Sequence, residues 1–396
     1  MKVLFVPMPG ILAHTIPLLA LDRKLSGSNV ETAFLAPQNF HRILKQLGVK
    51  VLPVDHALSG ASSFRSEMEA YGDYSPDVVV DDASLTTGFA TTLKGVPRVT
   101  IQRTGMFPNG QPRNKNHKFS ILVPKPEEVP DVSFLGLRQP RSYTDFFNAD
   151  LKIVPGIRSI ELLPPNLQND PTYSFSGPLL IDDYMLGRTV QSTKDIKQLR
   201  DFADLLNFFE THGNRKIVYL TFGTQALATE MVFTCIRFLL DSDIAVVTSI
   251  DVRELTEEQR KRYYFAHYLP MHLISERADL IVHQCGSGTY HYPILHNVPT
   301  ITLGTKCFDR EDVALRLEEL GVSTHIPAPD ECENFVESFK RAIAEYFAES
   351  GRLMQKRKAR LLSLKAEIDE TSARFDFEGL LRRAVNATPR SRSRGA

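Results

Sequence analysis

The sequence has little of what marks several specialised classes of protein. Its 47 basic and 47 acidic side chains give a formal net charge of +0, so no bulk field recruits nucleic acid or an anionic membrane. No apolar run is long enough to span a bilayer, and the apolar start MKVLFVPMPG is too short for a secretory signal. We therefore expect a globular protein of the cytoplasm, with no nucleic-acid partner and no membrane span.

Cysteine is also scarce. The chain has four cysteines, all in its second half, with no Cys-x-x-Cys pair and no spacing typical of metal ligands. This pattern favours a reduced compartment over a disulfide framework.

What the sequence does contain is an alternation of strand and helix signals, typical of α/β folds. Apolar runs such as KVLFVPM and DVVVDD predict parallel strands buried on both faces. The pattern weakens between about 103 and 150, where we expect loops that line a binding pocket, and it starts afresh at KIVYLTFGT. We predict two Rossmann-like, doubly wound domains facing across a cleft. The predicted boundaries are 1–180 for the first domain, 181–195 for a linker, 196–375 for the second domain and 376–396 for a helix end and tail.

Two glycine turns follow strands of the second half. Residues 285–289 (CGSGT) come after DLIVH, and residues 304–306 (GTK) come after PTITL. We expect a helix over 289–296, directly after the first turn. Free N–H groups at a helix start favour an anion such as a phosphate, although such a turn is also a simple connection.

Several motifs, in order, resemble those of the family 1 GT-B nucleotide-sugar glycosyltransferases. AHTIPLLALDRKL resembles the Gly-His-x-x-Pro segment and its helix. VYLTFGT resembles the Ser-Phe-Gly-Ser/Thr turn, and AHYLPMHLISERADLIVHQCGSGT resembles the strand, loop and His-x-x-Gly-x-Gly-Thr turn. ILHNVPTITLG and FDREDVALRLEELGVS resemble the segments that follow. The resemblance extends through nearly the whole chain and implies an enzyme of this kind.

The resemblance implies a donor site in the second half. The turn around His283 would hold the diphosphate, Phe-Gly-Thr would flank it, the 266–272 loop would reach the base, and the Asp-Arg pair would face the sugar hydroxyls. In chain order these residues are Gly223, Thr224, Tyr268, Leu269, His283, Gly286, Ser287, Gly288, Thr289, Tyr292, Asp309 and Arg310. The resemblance also implies a metal-independent reaction, with no bound metal and no resident cofactor, and we expect no Asp-x-Asp motif in this half.

The resemblance implies two catalytic residues in the first half. His14 would be the general base that deprotonates the acceptor, and Asp82 would orient it. Without the resemblance, the sequence favours His14 as a capping or packed residue of the strand-to-helix turn, and His283 at a strand end is open to interpretation as a core histidine. Asp81 and Asp82 are adjacent on a strand, so only one faces a cleft; we interpret Asp81 as a solvated strand end.

Four positions depart from the family pattern. Ala13 replaces a glycine before His14, and Cys285 replaces a glycine in the turn. Tyr292 stands where a glutamate usually binds the ribose diol, which favours thymidine diphosphate (TDP) donors that lack one ribose hydroxyl. Arg310 replaces a glutamine, and its guanidinium would pair with an anionic sugar or with Glu311 or Asp312.

The sequence thus predicts an inverting glycosyltransferase. It would move a hexose or deoxyhexose from a TDP or UDP sugar to a hydroxyl of a small, natural-product-like acceptor, acting as a monomer or homodimer. Three alternatives remain: a transferase acting on a lipid carrier, a nucleotide-sugar epimerase of the same fold, and a non-catalytic binding partner.

Overall fold

The structure, a computed structural model, divides into two compact units, each with its own parallel sheet. Among the described residues, unit 1 holds those up to Ile181 and those from Ile368 onward, and unit 2 holds those from Thr193 to Glu367. The structure describes residues 1–8, 12–36, 44–45, 47–53, 60–108, 131–140, 143–181, 193–222, 230–267, 269–305, 307–348 and 351–387.

Unit 1 is built on a seven-stranded sheet in the order β3-β2-β1-β4-β5-β6-β7. Every neighbouring pair is parallel. Both faces of the central strands are buried, which explains their near-continuous valine-rich runs. The strands are β1 (Lys2–Pro7), β2 (Glu31–Ala36), β3 (Val51–Pro53), β4 (Val78–Asp82), β5 (Arg98–Ile101), β6 (Leu151–Val154) and β7 (Tyr173–Phe175).

Helices cover both faces of this sheet. One core cluster joins α2 to β1, β2 and β4 through Leu4, Val6, Val79 and Tyr71. On the other face, α1 and the C-terminal α12 pack together, and Phe377 of α12 stacks on Phe5. The helices of unit 1 are α1 (Leu12–Lys24), α2 (Gly60–Tyr74), α3 (Thr87–Lys94) and α12 (Phe377–Ala387). Short 3-10 turns cover Ser133–Leu135, Tyr143–Phe147 and Pro165–Leu167.

Unit 2 is built on a six-stranded parallel sheet in the order β10-β9-β8-β11-β12-β13. Its strands are β8 (Ile217–Thr221), β9 (Ala245–Thr248), β10 (Tyr263–Phe265), β11 (Leu280–His283), β12 (Thr300–Leu303) and β13 (Ser323–Ile326). The order places β11 in the middle of the sheet, between β8 and β12. The carboxyl ends of these three strands therefore meet at one edge, where doubly wound sheets bind ligands.

The helices of unit 2 are α4 (Thr193–His212), α5 (Glu230–Asp241), α6 (Glu257–Lys261), α7 (Met271–Ser275), α8 (His291–Leu295), α9 (Phe308–Glu319), α10 (Phe335–Tyr346) and α11 (Arg352–Arg374). The last turns of α11, from Ile368, belong to unit 1. Of the helices in the described ranges, none combines the length and the hydropathy that a membrane span needs.

The fold class predicted from the sequence, two doubly wound α/β domains, is confirmed. The exact boundaries stay predictions, since most of the predicted linker 181–195 lies outside the described residues. The segment 109–130, within the predicted loop region, also lies outside them.

Candidate active site

An imidazole and a carboxylate meet at the carboxyl edge of the first sheet. His14 lies in the first turn of α1, which follows β1, and Asp82 ends β4, the strand paired with β1. Nδ1 of His14 lies 2.8 Å from Oδ1 of Asp82. The Asp82 side chain is fully buried, whereas 21% of the His14 side chain is exposed. The structure thus brings together the two residues predicted to be catalytic.

Asp82 has a second partner that the sequence motifs did not predict. Arg103 donates from Nη1 to Oδ1 of Asp82 at 2.6 Å, and from Nη2 to Oδ2. Burial acts most strongly on the pKa of Asp82 and would raise it, but the charges of Arg103 and then His14, with their hydrogen bonds, lower it overall. The carboxylate is therefore ionised at neutral pH and can only accept hydrogen bonds.

The neighbouring Asp81 belongs to the opposite face of the sheet, as strand alternation predicts. It accepts two hydrogen bonds from Arg98, at 2.8 Å and 2.9 Å. Both side chains are buried, so the interpretation of Asp81 as a solvated strand end is wrong. Burial is the largest influence on the pKa of Asp81 and raises it, against the effect of Arg98. A buried acid at this position needs a paired cation to remain ionised.

The glycine turn of unit 2 differs from the prediction at its helix. Helix α8 begins at His291 and has five residues, rather than extending over 289–296. The N–H groups of Thr289 and Tyr290 both donate to the carbonyl of Gly286. Thr289 therefore offers a hydroxyl rather than a backbone donor, and a helix of one turn adds little dipole.

The tip of this turn is open. Gly288 is exposed, and Ser287 and Thr289 are partly exposed. The N–H groups of Ser287 and Gly288 have no protein partner among the described residues. A Cβ built on Gly288 meets no atom within 4 Å, and its φ is not left-handed, so neither packing nor backbone conformation requires glycine there. The missing side chain instead leaves space in front of the turn.

His283 is hydrogen-bonded to the backbone of the turn. Its side chain is fully buried at the end of β11, and its Nδ1 accepts the N–H of Cys285 at 3.0 Å. Burial lowers the pKa of His283 to about 3, so the ring is neutral and carries its proton on Nε2. This Nε2–H has no partner among the described residues. Such an unpaired buried donor is unusual in a native protein and costs free energy.

Cys285 explains why related turns use glycine at this position. Its φ is 57°, in the left-handed region that favours glycine, and its side chain is 1% exposed. On the far side of the turn, His291 donates from Nδ1 to the carbonyl of Ser287 at 3.0 Å. Histidines on both sides thus fix the backbone of the turn.

The remaining predicted donor residues have different surroundings. Tyr292 is buried within α8, at 7% exposure. Leu269 is buried and packs in an apolar cluster of unit 2, in the segment after β10 at the edge of the sheet. The predicted residues Gly223, Thr224 and Tyr268 lie outside the described residues.

Asp309 and Arg310 begin α9, after β12, and both are partly exposed. Oδ1 of Asp309 accepts a hydrogen bond from the Cys307 thiol at 2.9 Å. Because burial and then Asp309 raise the pKa of Cys307 to about 12, this thiol keeps its proton. The register of β11 and β12 pairs His283 with Thr302, which brings the two following loops to the same edge of the sheet.

Glu311 anchors this second loop. Its Oε1 accepts the N–H of Thr305 at 2.6 Å, and its Oε2 lies 3.0 Å from Nε2 of His325 on β13. Both side chains are buried. The carboxylate therefore holds the loop that precedes Asp309 against the sheet.

The second half of the chain contains one Asp-x-Asp sequence, so the expectation that it has none is wrong. Residues 241–243 read Asp-Ser-Asp, but they precede β9 and so lie at the amino edge of the sheet, opposite the two loops. Asp241 accepts from Nε2 of Gln259 at 2.8 Å, and Asp243 lies 3.1 Å from Nε of Arg215. These contacts give both carboxylates structural partners.

Arg103 and Glu311 are the residues that the motifs missed. A signal for Arg103 was present, because two adjacent acids at the end of a buried strand each need a cation, and PRVTIQR offers two arginines. Arg98 begins β5 and pairs with Asp81, whereas Arg103 lies two residues beyond the strand and reaches Asp82 from the loop that follows. No comparable signal marks Glu311, because its partner His325 is on another strand.

Comparisons with known proteins agree with this architecture. No family model matches the chain. A "PGL/p-HBAD biosynthesis glycosyltransferase" of Mycobacterium tuberculosis is 22% identical over 334 residues, covering 76% of this chain and 75% of the relative.

Three solved glycosyltransferase structures are similar over nearly the whole chain. The kitacinnamycin glycosyltransferase has a TM-score of 0.69 at 16% identity, and 98% of each chain is covered. The spinosyn rhamnosyltransferase SpnG complexed with thymidine diphosphate has a TM-score of 0.65 at 16% identity, covering 94% of this chain and 98% of that one. A variant of Os79 from O. sativa in complex with UDP has a TM-score of 0.70 at 15% identity, covering 98% of this chain and all of that one. The resemblance that the motifs indicate is confirmed, and the chain has the fold of the GT-B glycosyltransferases.

Proposed function

We propose that the protein is an inverting, metal-independent glycosyltransferase that moves a hexose or deoxyhexose from a nucleoside diphosphate sugar to a hydroxyl of a small, natural-product-like acceptor. The observation that carries the proposal is the 2.8 Å contact between Nδ1 of His14 and Oδ1 of Asp82. A packed histidine of a strand-to-helix turn would not need a buried, ionised carboxylate on one ring nitrogen. The names of the relatives, all glycosyltransferases, support the same reaction.

The contact fixes the chemistry of the imidazole. Asp82 can only accept, so Nδ1 of His14 carries the proton and Nε2 of the neutral ring carries a lone pair. In the proposed reaction Nε2 takes the proton of the acceptor hydroxyl while the hydroxyl oxygen forms a bond to the anomeric carbon. The bond from that carbon to the phosphate oxygen breaks, and the nucleoside diphosphate leaves with the electron pair. Direct displacement inverts the anomeric centre.

Unit 2 would bind the donor. The open turn tip offers two unpaired N–H groups, on Ser287 and Gly288, and two hydroxyls, on Ser287 and Thr289. Such fixed dipoles stabilise the charge that develops on a diphosphate leaving group. Asp309 and Arg310, on the adjacent loop, would contact the sugar. In this proposal no metal ion takes part, so turnover should survive a chelator.

Removing the base tests the proposal. We expect His14→Ala to lower turnover by about 100- to 10,000-fold, the range for a general base. Donor affinity, measured by calorimetry, should barely change, because His14 belongs to unit 1. Asp82→Asn should cost as much as His14→Ala or less, and the double variant little more than His14→Ala alone, because the two residues act as one unit. The acceptor must be an aliphatic alcohol, since an ionised phenol needs no base.

Asp81→Asn is the matched control. Asp81 is one residue away and equally buried, but its partner is Arg98 instead of His14. The control should lose stability while keeping the turnover of its folded fraction. Near-normal turnover of His14→Ala would refute the assignment of the base, and the absence of transfer by the wild type to any alcohol would favour a non-catalytic binding partner. The acceptor's identity, the cytoplasmic location and the oligomeric state stay predictions.

A further inference from the structure

Arg103 makes an unusual contact with the candidate catalytic pair. Its Nη1 donates to Oδ1 of Asp82, the same oxygen that faces His14, and its Nη2 donates to Oδ2. The Arg103 side chain is 5% exposed and the Asp82 side chain is not exposed at all. Among the described residues, only His14 and Arg103 bond to the carboxylate oxygens of Asp82.

The backbone around Arg103 is itself held in place. The next residue, Thr104, donates from its N–H and its hydroxyl to Oε2 of Glu161, at 2.7 Å and 2.5 Å. The N–H of Met106 donates to the carbonyl of Arg103 at 2.9 Å. The guanidinium thus reaches Asp82 from a fixed loop after β5.

This geometry has two consequences for His14. A guanidinium that bonds both carboxylate oxygens fixes the plane of the carboxylate, and with it the direction from which Oδ1 meets Nδ1. Its positive charge also offsets the carboxylate, so that Asp82 stabilises the protonated imidazolium less than an unpaired aspartate would. A general base must be correctly oriented and unprotonated when it acts, so the proposed reaction benefits from both effects.

Other charged groups near this carboxylate are engaged elsewhere or lie further along their elements. Asp81 and Arg98 bond to each other on the opposite face of β4, where buried Glu67 accepts hydrogen bonds from Tyr71 and Thr86. The other charged groups on the elements around Asp82 are Lys2 on β1, Asp22, Arg23 and Lys24 on α1, and Glu378, Arg382 and Arg383 on α12. Arg103 is therefore the charge that directly opposes Asp82.

We infer that Arg103 is a positioning residue, which orients the Asp82 carboxylate and weakens its hold on the protonated form of His14. The inference rests on the proposed function, in which His14 is the base.

Two substitutions separate charge from geometry. Arg103→Met keeps the unbranched stem of the side chain and removes its charge, whereas Arg103→Lys keeps the charge and loses the two-pronged contact. We expect the acid limb of the kcat/KM profile of Arg103→Met to move up by about one pH unit, because the uncompensated carboxylate favours the imidazolium. Turnover at pH 7 should fall by about tenfold, with KM for the donor unchanged. Arg103→Lys should restore the position of the limb and recover turnover only in part.

The free protein supplies a readout without activity. The ring ¹⁵N signals of His14, titrated by NMR in all three proteins, should show the same upward move in Arg103→Met and its reversal in Arg103→Lys. If both variants titrate like the wild type while His14→Ala is inactive, Arg103 has no such role. If His14→Ala is active, the proposed function fails, whatever the Arg103 variants do. Should Arg103→Met not fold, Arg103→Gln, which also removes the charge, takes its place, and an unshifted limb with full turnover in that variant would overturn the inference.

Discussion

Adding a methyl group at Gly304 should destabilise unit 2 strongly. A Cβ at this position would lie 2.3 Å from the backbone nitrogen of Ala328 and 2.8 Å from the carbonyl carbon of Pro327. Ordinary carbon–nitrogen contacts exceed 3.4 Å, so the overlap is about 1 Å. The clashing atoms are backbone, and the N–H of Gly304 is bonded to the carbonyl of Ile326, so neither side can move without breaking the edge of the sheet.

Overpacking of this kind costs about 3 kcal/mol, which corresponds to a fall in Tm of roughly 6–12 °C for a domain of this size. The third neighbour, Oε1 of Glu311 at 3.0 Å, would also be displaced from the loop that it anchors. The measurement is thermal unfolding of Gly304→Ala, followed by circular dichroism without ligand. Gly213→Ala is the control, because its Cβ would meet only ordinary contacts at 3.5 Å and 3.8 Å. A Tm for Gly304→Ala within a degree of the wild type would refute the packing argument.

Two further predictions concern the turn and the donor. Because burial lowers the pKa of His283 to about 3, its neutral form contributes stability that is fully present above the unfolded value near 6.5 and is lost as the pH falls from there. The free energy of unfolding should change by at most about 1.4 kcal/mol per pH unit because of this group. Between pH 7.5 and pH 5, Tm should therefore fall less in His283→Asn than in the wild type or in a control variant of the exposed His267. An equal fall in Tm in all three proteins would contradict the reasoning. The second prediction is that TDP binds at least as tightly as UDP in calorimetry. Tyr292→Phe, which removes only the hydroxyl, should leave this order unchanged, because position 292 offers no carboxylate to the ribose diol in either protein. Many-fold tighter binding of UDP by the wild type would overturn the argument from Tyr292, and Tyr292→Glu is a poorer test because it buries a charge.

The fold was predictable because its signals are local and repeated. Runs such as KVLFVPM and DVVVDD are apolar on both faces, which only a parallel sheet covered on both sides accommodates. The helix after the first glycine turn was placed less well. Its start depends on which N–H groups bond within the turn, and both Thr289 and Tyr290 bond to Gly286, a choice that composition does not reveal.

The different roles of the glycines in the two turns could not be predicted from the sequence. Gly288 and Gly304 both follow buried strands, and their sequences give the same signal. In the structure, Gly304 is required by the backbone of 327–328, which directly follows β13 and is two dozen residues away, whereas no described residue requires glycine at position 288. Contacts between distant segments decide which glycine is needed for packing and which is not, and the sequence of neither turn indicates these contacts.

At the end of β4, the sequence does not show how the adjacent acids Asp81 and Asp82 differ, whereas the structure does. Asp81 and Asp82 are both fully buried, and each accepts two hydrogen bonds from an arginine of the segment 98–103. Burying a single uncompensated carboxylate would cost several kcal/mol, so both pairs are needed for the strand end to fold. Both aspartates are buried and both are paired with an arginine, but only Asp82 also has a histidine as a side-chain partner. Asp82 thus connects a buried charge pair, which the fold requires in any case, to a partly exposed imidazole.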